Sequence, residues 1–198
     1  MNAVCVMCAM GMVGLVGSAA GQQLDFAIDP AQSSLDLSIE IDLGSLGGDT
    51  DSDTTALSGF IDASFDDVEA ASQASLHDFQ AMMDSDLEYS WAPAFLSTAD
   101  ATLTGGLVEY AAPGIIQGPV AVVAGAFEFP AVPVQLAGTL SVNYNIFLVG
   151  SGSQVVDLST LKPGDTAIGG TLSVDGGVAT ITNTIEFTGS QPLIVDGS

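Results

Sequence analysis

A strict alternation of apolar and polar residues over positions 34–43 is the feature that most constrains the fold of this chain. Every odd position from Leu35 to Leu43 is aliphatic, and every even position from Ser34 to Asp42 is polar. Side chains alternate between the two faces of a β-strand, so this period of two predicts a strand with one dry face and one wet face. Such a strand must bury its dry face against elements of the same kind.

The same pattern recurs along the chain, separated by turn-forming Gly, Asp and Pro residues, and no segment has a convincing helical period. We therefore predict an all-β fold, an antiparallel barrel or sandwich of about eight or nine strands. Residues 67–75 are ambiguous and could form a helical turn or two. The segment after Gly150-Ser151-Gly152-Ser153, as far as Asp165, is typical of an edge loop. The clearest later segments are 57–66, 87–91, 132–148, 166–174 and 178–187.

Three of these later segments predict local detail. Residues 132–148 are longer than an ordinary strand, so we expect a bend or bulge at Gly138, the one gap in their apolar parity. Residues 166–174 and 178–187 predict a hairpin, because Asp175-Gly176-Gly177 supplies the positive-φ residues that a short loop requires.

The first twenty residues are typical of a signal peptide. An apolar run over 4–16 is followed by small residues, and Ser18 with Ala20 fits the rule for cleavage after Ala20, although no Lys or Arg precedes the run. Residues 21–198 are then a single cysteine-free β domain, since Cys5 and Cys8 both lie in the leader. This organisation predicts a secreted or periplasmic protein.

The charge balance is strongly acidic. The chain has 24 Asp and Glu residues against one Lys, one His and no Arg, which gives a formal net charge of −23. Nucleic acid and anionic membrane surfaces are excluded as partners, because nothing here could neutralise their phosphates. Two interpretations remain: a solvating surface suited to a salty exterior, or a surface for cations or a cationic partner. We favour the first, because the acids are scattered along polar faces.

Part of the chain resembles the YceI-like family, within residues 26–37, 57–60 and 136–142. The matching pieces are Phe26-Ala27-Ile28-Asp29-Pro30-Ala31-Gln32-Ser33-Ser34-Leu35, Leu57-Ser58-Gly59-Phe60 and Leu136-Ala137-Gly138-Thr139-Leu140-Ser141-Val142. The resemblance implies an exported antiparallel barrel that holds an apolar, isoprenoid-type ligand. That family usually carries an Asp, a His and basic residues in its middle segment, where this chain has only His77-Asp78-Phe79.

Three carboxylates at alternate positions form the one candidate metal site. Asp49, Asp51 and Asp53 stand in a Gly- and Asp-rich segment predicted to be a loop, and carboxylate oxygens are the ligands that Ca²⁺ prefers. The spacing departs from an EF-hand loop, which would need Gly and Glu where Thr54 and Phe60 stand. The sequence therefore predicts weak Ca²⁺ binding here, with a solvated acidic turn as the alternative.

Other chemistry-bearing residues are isolated. His77 is the only imidazole, which excludes a His-rich zinc site, and no nucleophile elbow accompanies it. Lys162 lies in a predicted turn. Glu109 continues the face of Ala101, Leu103 and Leu107 if the strand extends that far, although we expect the strand to end first. Tyr89 and Trp91 could line a ligand site, but an aromatic pair at this spacing is more typical of a core.

These observations predict an exported acidic β domain with a structural or binding role at the cell surface or in the periplasm. No catalytic machinery and no cofactor beyond the weak Ca²⁺ are evident. Its partner would be an extracellular matrix component or an apolar ligand. The alternatives are a YceI-like barrel that carries an apolar ligand and a small carboxylate-dependent hydrolase.

Overall fold

The structure, a computed structural model, describes residues 4–15, 22–42, 47–92, 97–147 and 150–189. Within these residues the fold is all-β and antiparallel, as predicted, and its one helical element is the short 3₁₀ helix Leu158–Thr160. The strands are β1 (Val4–Leu15), β2 (Gln22–Ile28), β3 (Ser34–Asp42), β4 (Gly48–Phe65), β5 (Gln73–Met83), β6 (Leu87–Trp91), β7 (Thr98–Tyr110), β8 (Gln117–Ala121), β9 (Ala126–Ile146), β10 (Gly150–Asp157), β11 (Gly164–Asp175) and β12 (Val178–Gly189).

All of these strands belong to one sheet. Its hydrogen-bonded order is β10-β9-β11-β12-β1-β2-β4-β5-β7-β6, while β3 pairs with β1 and β4, and β8 pairs with β5. The long strand β9 also pairs with β7, so the sheet turns back on itself. Within the described residues the end strands of this order, β10 and β6, do not pair with each other. The structure is thus a single curled sheet whose two end strands, β10 and β6, are not hydrogen-bonded to each other in the described residues.

The curled sheet surrounds one hydrophobic core. The dry face of β3 supplies Leu35, Leu37, Ile39 and Ile41, each at most 2 % exposed, as its alternation predicts. Leu43, the last residue of the predicted face, lies outside the described residues. The inner faces of the neighbouring strands complete the same cluster, with Phe26, Phe65, Phe79, Trp91, Leu103 and Ile181 among its members.

The hairpin and the bulge are both confirmed. Asp175 pairs with Val178 across a two-residue turn in which Gly176 and Gly177 have φ of 58° and 81°. The pairing of β7 with β9 shifts between Thr104 and Leu107, opposite Gly138. Gly138 itself has φ of 128°, a value that side-chain-bearing residues rarely adopt.

Several boundaries differ from the predicted ones. Eleven strands, β2 to β12, stand among the described residues after position 20 instead of eight or nine, and residues 67–72 form bends and not helix. The edge loop predicted after Ser153 is wrong in its first part, because β10 continues to Asp157, pairs with β9 and buries Val156. Strand β9 is continuous through Pro130 and Pro133. Pro130 lies where the pairing of β9 with β11 shifts register, between Phe129 and Val132, and a missing N–H donor is tolerated at such an irregularity, whereas Pro133 pairs in register with Asp165.

Strand β1 coincides with most of the predicted signal peptide. Its backbone pairs with β12 along its whole length, and with β3 and β2 on its other edge. The predicted cleavage region, residues 16–20, lies outside the described residues, so the signal-peptide prediction stays a prediction. The described residues include no helix long and apolar enough to cross a membrane.

Candidate functional site

The three aspartates predicted as calcium ligands lie on a strand and not in a loop. Strand β4 begins at Gly48, so Asp49, Asp51 and Asp53 occupy alternate positions along it, paired with β3 by the backbone. The predicted loop is wrong because these side chains find partners that hold the segment extended. One carboxylate oxygen of each accepts a hydrogen bond from the backbone N–H of the next residue, at 2.8–2.9 Å.

The second oxygen of each carboxylate reaches strand β6. Asp53 accepts from the N–H of Glu88, Asp51 from that of Ser90 and Asp49 from that of Ala92, each at 2.8 Å. We call Asp49, Asp51 and Asp53 the aspartate ladder. Its carboxylates accept hydrogen bonds from the N–H groups on the edge of β6 that faces away from β7. They take the place of the backbone carbonyls that a neighbouring strand would offer there.

The aspartate ladder therefore has a structural use that the sequence did not reveal. Each carboxylate already accepts two N–H donors, which a cation would have to displace. The described residues include no group of three or more His, Cys, Asp or Glu side chains placed to hold a metal ion. Weak Ca²⁺ binding at these residues stays a prediction.

The aromatic pair on β6 lies in the core. Trp91 and Tyr89 are 2 % and 3 % exposed, and their rings stack with centroids 5.6 Å apart. The indole Nε1 of Trp91 donates to the carbonyl of Ile39 at 3.0 Å. The hydroxyl of Tyr89 is buried without a hydrogen-bond partner in the described part of the chain, and burial raises the pKa of Tyr89, with the carboxylates of Asp53 and Asp51 adding to the shift.

His77 has one side-chain partner among the described residues. Its Nε2 lies 2.8 Å from the Oγ of Ser64 on the neighbouring strand β4. Within the same residues no carboxylate hydrogen-bonds to the ring, so the third member of a catalytic triad is not placed beside it. Lys162 is exposed, next to Pro163 and before the start of β11.

Glu109 lies in a surface cleft, because β7 continues to Tyr110. The bulge between Thr104 and Leu107 changes which residues of the strand face the core: odd-numbered positions do so before it and even-numbered positions after it. Ala101 and Leu103 are buried before it, whereas Val108 and Tyr110 are buried after it. The expectation that the strand ends before Glu109 is therefore wrong, and so is the alternative that Glu109 continues the face of Leu103: Glu109 lies on β7 and is turned away from the core.

Glu109 belongs to a row of four residues in register on adjacent strands. Phe60 pairs with Gln80, Gln80 with Glu109, and Glu109 with Gln135, across β4, β5, β7 and β9. We call these four residues the outer row. Their chain neighbours Ile61, Ala81, Val108 and Val134 are all buried in the core, so the row faces away from it. Strands lie about 4.8 Å apart, and the row spans about 14 Å.

The outer row forms the floor of a cleft of about 390 Å³. Pro113, Ser159 and Pro163 also line this cleft, and Asp78 adds a second carboxylate. Gln135 is held at the far end, since its Nε2 donates to the carbonyls of Leu136 and Leu158 at 2.9 and 3.1 Å. Within the described residues, the side chains of Gln80 and Glu109 make no hydrogen bond and so are free to bind a ligand.

Sequence reasoning missed the outer row, although one signal was present. Phe60 is an aromatic residue at a wet-face position of its strand, between Ser58 and Asp62. The other three members are ordinary polar residues that only the register brings together. No protein-family model matches the chain, and neither a curated protein nor a solved structure is found to match it.

Proposed function

We propose that this chain is an exported, acidic β domain with a structural or binding role at the cell surface or in the periplasm, and that it is not an enzyme. The packing of the inner faces carries this proposal. Leu35, Leu37, Ile39 and Ile41 belong to one buried cluster with the aromatic side chains of the neighbouring strands, which supports a core built from protein side chains. A lipid carrier of the YceI type would instead need space behind them.

The use of the acidic side chains also supports this proposal. Several carboxylates accept hydrogen bonds from backbone N–H groups, as in the aspartate ladder and at Asp66, Asp67 and Asp157. They therefore help to build the fold, and the rest of the negative charge solvates the surface. Salt screens such charge within about 3 Å at 1 M ionic strength, which suits a saline exterior.

The test is to express the full chain in an exporting bacterial host and to analyse the exported material. N-terminal sequencing should find Gly21 first, and mass spectrometry of an organic extract should find no stoichiometric apolar molecule. A retained isoprenoid-type ligand would support the carrier alternative and contradict the proposal. Recovery of the chain with its leader intact in the cytosol would contradict export.

One observation favours the hydrolase as a second candidate function. Asp78 and Glu109 line the same cleft, and glycoside hydrolysis uses a pair of carboxylates on either side of the scissile bond. The assay is release of reducing sugar from soluble polysaccharides. Activity that both Asp78→Asn and Glu109→Gln abolish would support this candidate, whereas activity that persists in both variants would exclude the cleft.

A further inference from the structure

We infer that the outer row, Phe60, Gln80, Glu109 and Gln135, is a binding site for a neutral saccharide chain. This inference rests on the proposed binding role and names the ligand class. The four side chains stand in register on adjacent strands and line one cleft. A shallow row about 14 Å long fits an extended oligomer better than a compact metabolite.

The hydrogen-bonding groups of the row match a polyhydroxylated ligand. Glu109 offers acceptor oxygens only, while the amide of Gln80 offers both a donor and an acceptor. Sugar hydroxyls donate and accept, so they can satisfy both groups together. An apolar ligand would instead cover Glu109 and Gln80 without a hydrogen bond, which costs free energy.

Phe60 supplies the apolar part of the row. It is partly exposed at one end of the cleft, and an aromatic ring can pack against the C–H face of a pyranose. This explains an aromatic residue at a position where the strand otherwise presents Ser58, Asp62 and Ser64. The amide of Gln135 closes the other end, where Leu158 holds it in place.

Charge selects against the other ligand classes. Anions are repelled by Glu109, by Asp78 and by the net charge of −23. A small cation would be held best by three or more carboxylates together, and the described residues include no such group. Asp78 is the second carboxylate of the cleft, but the residues paired with Glu109 on both neighbouring strands are the amides Gln80 and Gln135. A neutral ligand with hydroxyl groups remains as the class that the row can satisfy.

The experiment is isothermal titration of the full chain with six neutral hexasaccharides, namely those of cellulose, amylose, laminarin, mannan, xylan and chitin. We expect at least one to bind, with an affinity that changes little between low and high salt because the ligand is uncharged. Glu109→Gln should weaken binding about tenfold, since a hydrogen bond to a charged group contributes about that much. Phe60→Ala should weaken binding by a similar factor of about ten, because it removes the aromatic surface against which the sugar packs.

Matched controls are Glu88→Gln and Phe147→Ala, an exposed acid and an exposed aromatic residue outside the cleft, which should bind as the parent does. If Phe60→Ala fails to fold, Gln80→Ala replaces it. Spermidine, an organic cation, is titrated in the same way for comparison. The inference is overturned if none of the six hexasaccharides binds or if the cleft variants bind them as well as the controls do. It is also overturned if spermidine alone binds and its binding depends on Glu109. None of these results would contradict the proposed export or the absence of an apolar ligand, which mass spectrometry tests separately.

Discussion

The carboxylate of Asp51 accepts a hydrogen bond of 2.8 Å from the backbone N–H of Ser90, on a strand with which β4 forms no backbone ladder in the described residues. Asp49 and Asp53 repeat this contact on either side. Side chains thus take the place of a neighbouring strand along the free edge of β6. An exposed N–H edge invites pairing with another chain, and the aspartate ladder occupies it.

The first prediction concerns the stability that this ladder provides. Asp51→Ala should lower the free energy of unfolding by about 1 kcal/mol, because it removes the acceptor for Ser90 while water partly replaces it. Asp51→Asn keeps a neutral acceptor and should cost less. The measurement is urea unfolding followed by circular dichroism.

The control for this prediction is Asp86→Asn, which removes the same charge from an exposed turn and should change stability by less than about 0.5 kcal/mol. Hydrogen exchange gives a second measurement, since the Ser90 amide should be protected in the parent and exchange faster in Asp51→Ala. Equal exchange in the two proteins would contradict the bond.

The second prediction is weak Ca²⁺ binding at Asp49, Asp51 and Asp53. Millimolar Ca²⁺ should raise the melting temperature if the cation binds the folded state, and EDTA should reverse the rise. The triple Asn variant should lose the response, while Asp86→Asn should keep it. A melting temperature that is the same in Ca²⁺ and EDTA would contradict calcium binding at these residues. Their role would then be the hydrogen bonds of the aspartate ladder.

The third prediction is a loss of stability in acid through Asp66. Hydrogen bonds from the Ser72 hydroxyl, from the N–H of Gln73 and from the N–H of Ser72 hold the pKa of Asp66 well below its ordinary value of 3.8. A lowered pKa in the folded state gives stability that is present above pH 3.8 and is lost as the pH falls below it.

Asp66→Asn should therefore be less stable than the parent at pH 7, and the difference should shrink steadily below pH 3.8. Ser72→Ala removes the largest cause of the shift and should reproduce part of the effect. The measurement is the urea midpoint of each protein across the acid range. A difference that stays constant with pH would show that Asp66 acts without titrating.

The fourth prediction compares two tyrosines. The buried hydroxyl of Tyr89 has no partner in the described residues, whereas that of Tyr110 donates to the carbonyl of Ile115 and accepts from Gln117. Tyr89→Phe should not lower the free energy of unfolding, because it removes a polar group that was desolvated without compensation. Tyr110→Phe should lower it by about 1 kcal/mol.

The same pair differs in alkali. Burial raises the pKa of Tyr89 above its ordinary value of 10.0, so the folded state keeps a proton that the unfolded chain loses, and stability falls as the pH rises past 10.0. Tyr89→Phe should abolish this part of the loss. If Tyr89→Phe destabilises the protein as much as Tyr110→Phe does, then the Tyr89 hydroxyl has a partner.

Local alternation accounts for what could be predicted from the sequence. The inner faces of β3, β4 and the β11–β12 hairpin are as expected, because burial along a strand depends on a period of two that neighbouring residues reveal. The turn at Gly176 and Gly177 is equally local, since it depends on which residues tolerate positive φ.

What could not be predicted depends on pairing between distant segments. Asp49 lies on β4 because it pairs with Ile41 on β3 and its carboxylate accepts a hydrogen bond from Ala92. Glu109 reaches the cleft because a bulge in β7 changes which residues face the core. The outer row exists only through register, which no single strand encodes. The candidate site could therefore not be predicted from the sequence, although Phe60, an aromatic residue at a polar-face position, indicated one end of it.

The last prediction tests the bulge directly through Gly138. A Cβ added there would lie 3.1 Å from the Cα of Gly106 and from the carbonyl oxygen of Thr104, and its φ of +128° strains any side chain. Gly138→Ala should therefore lower the free energy of unfolding by about 2 kcal/mol. Gly150→Ala, at φ of +115° with open space, should show the backbone strain alone and cost less. Gly164→Ala has neither problem and should be within about 0.5 kcal/mol of the parent. Urea unfolding of the three variants gives the order, and a Gly138→Ala protein as stable as Gly164→Ala would mean that β7 and β9 do not approach closely at the bulge.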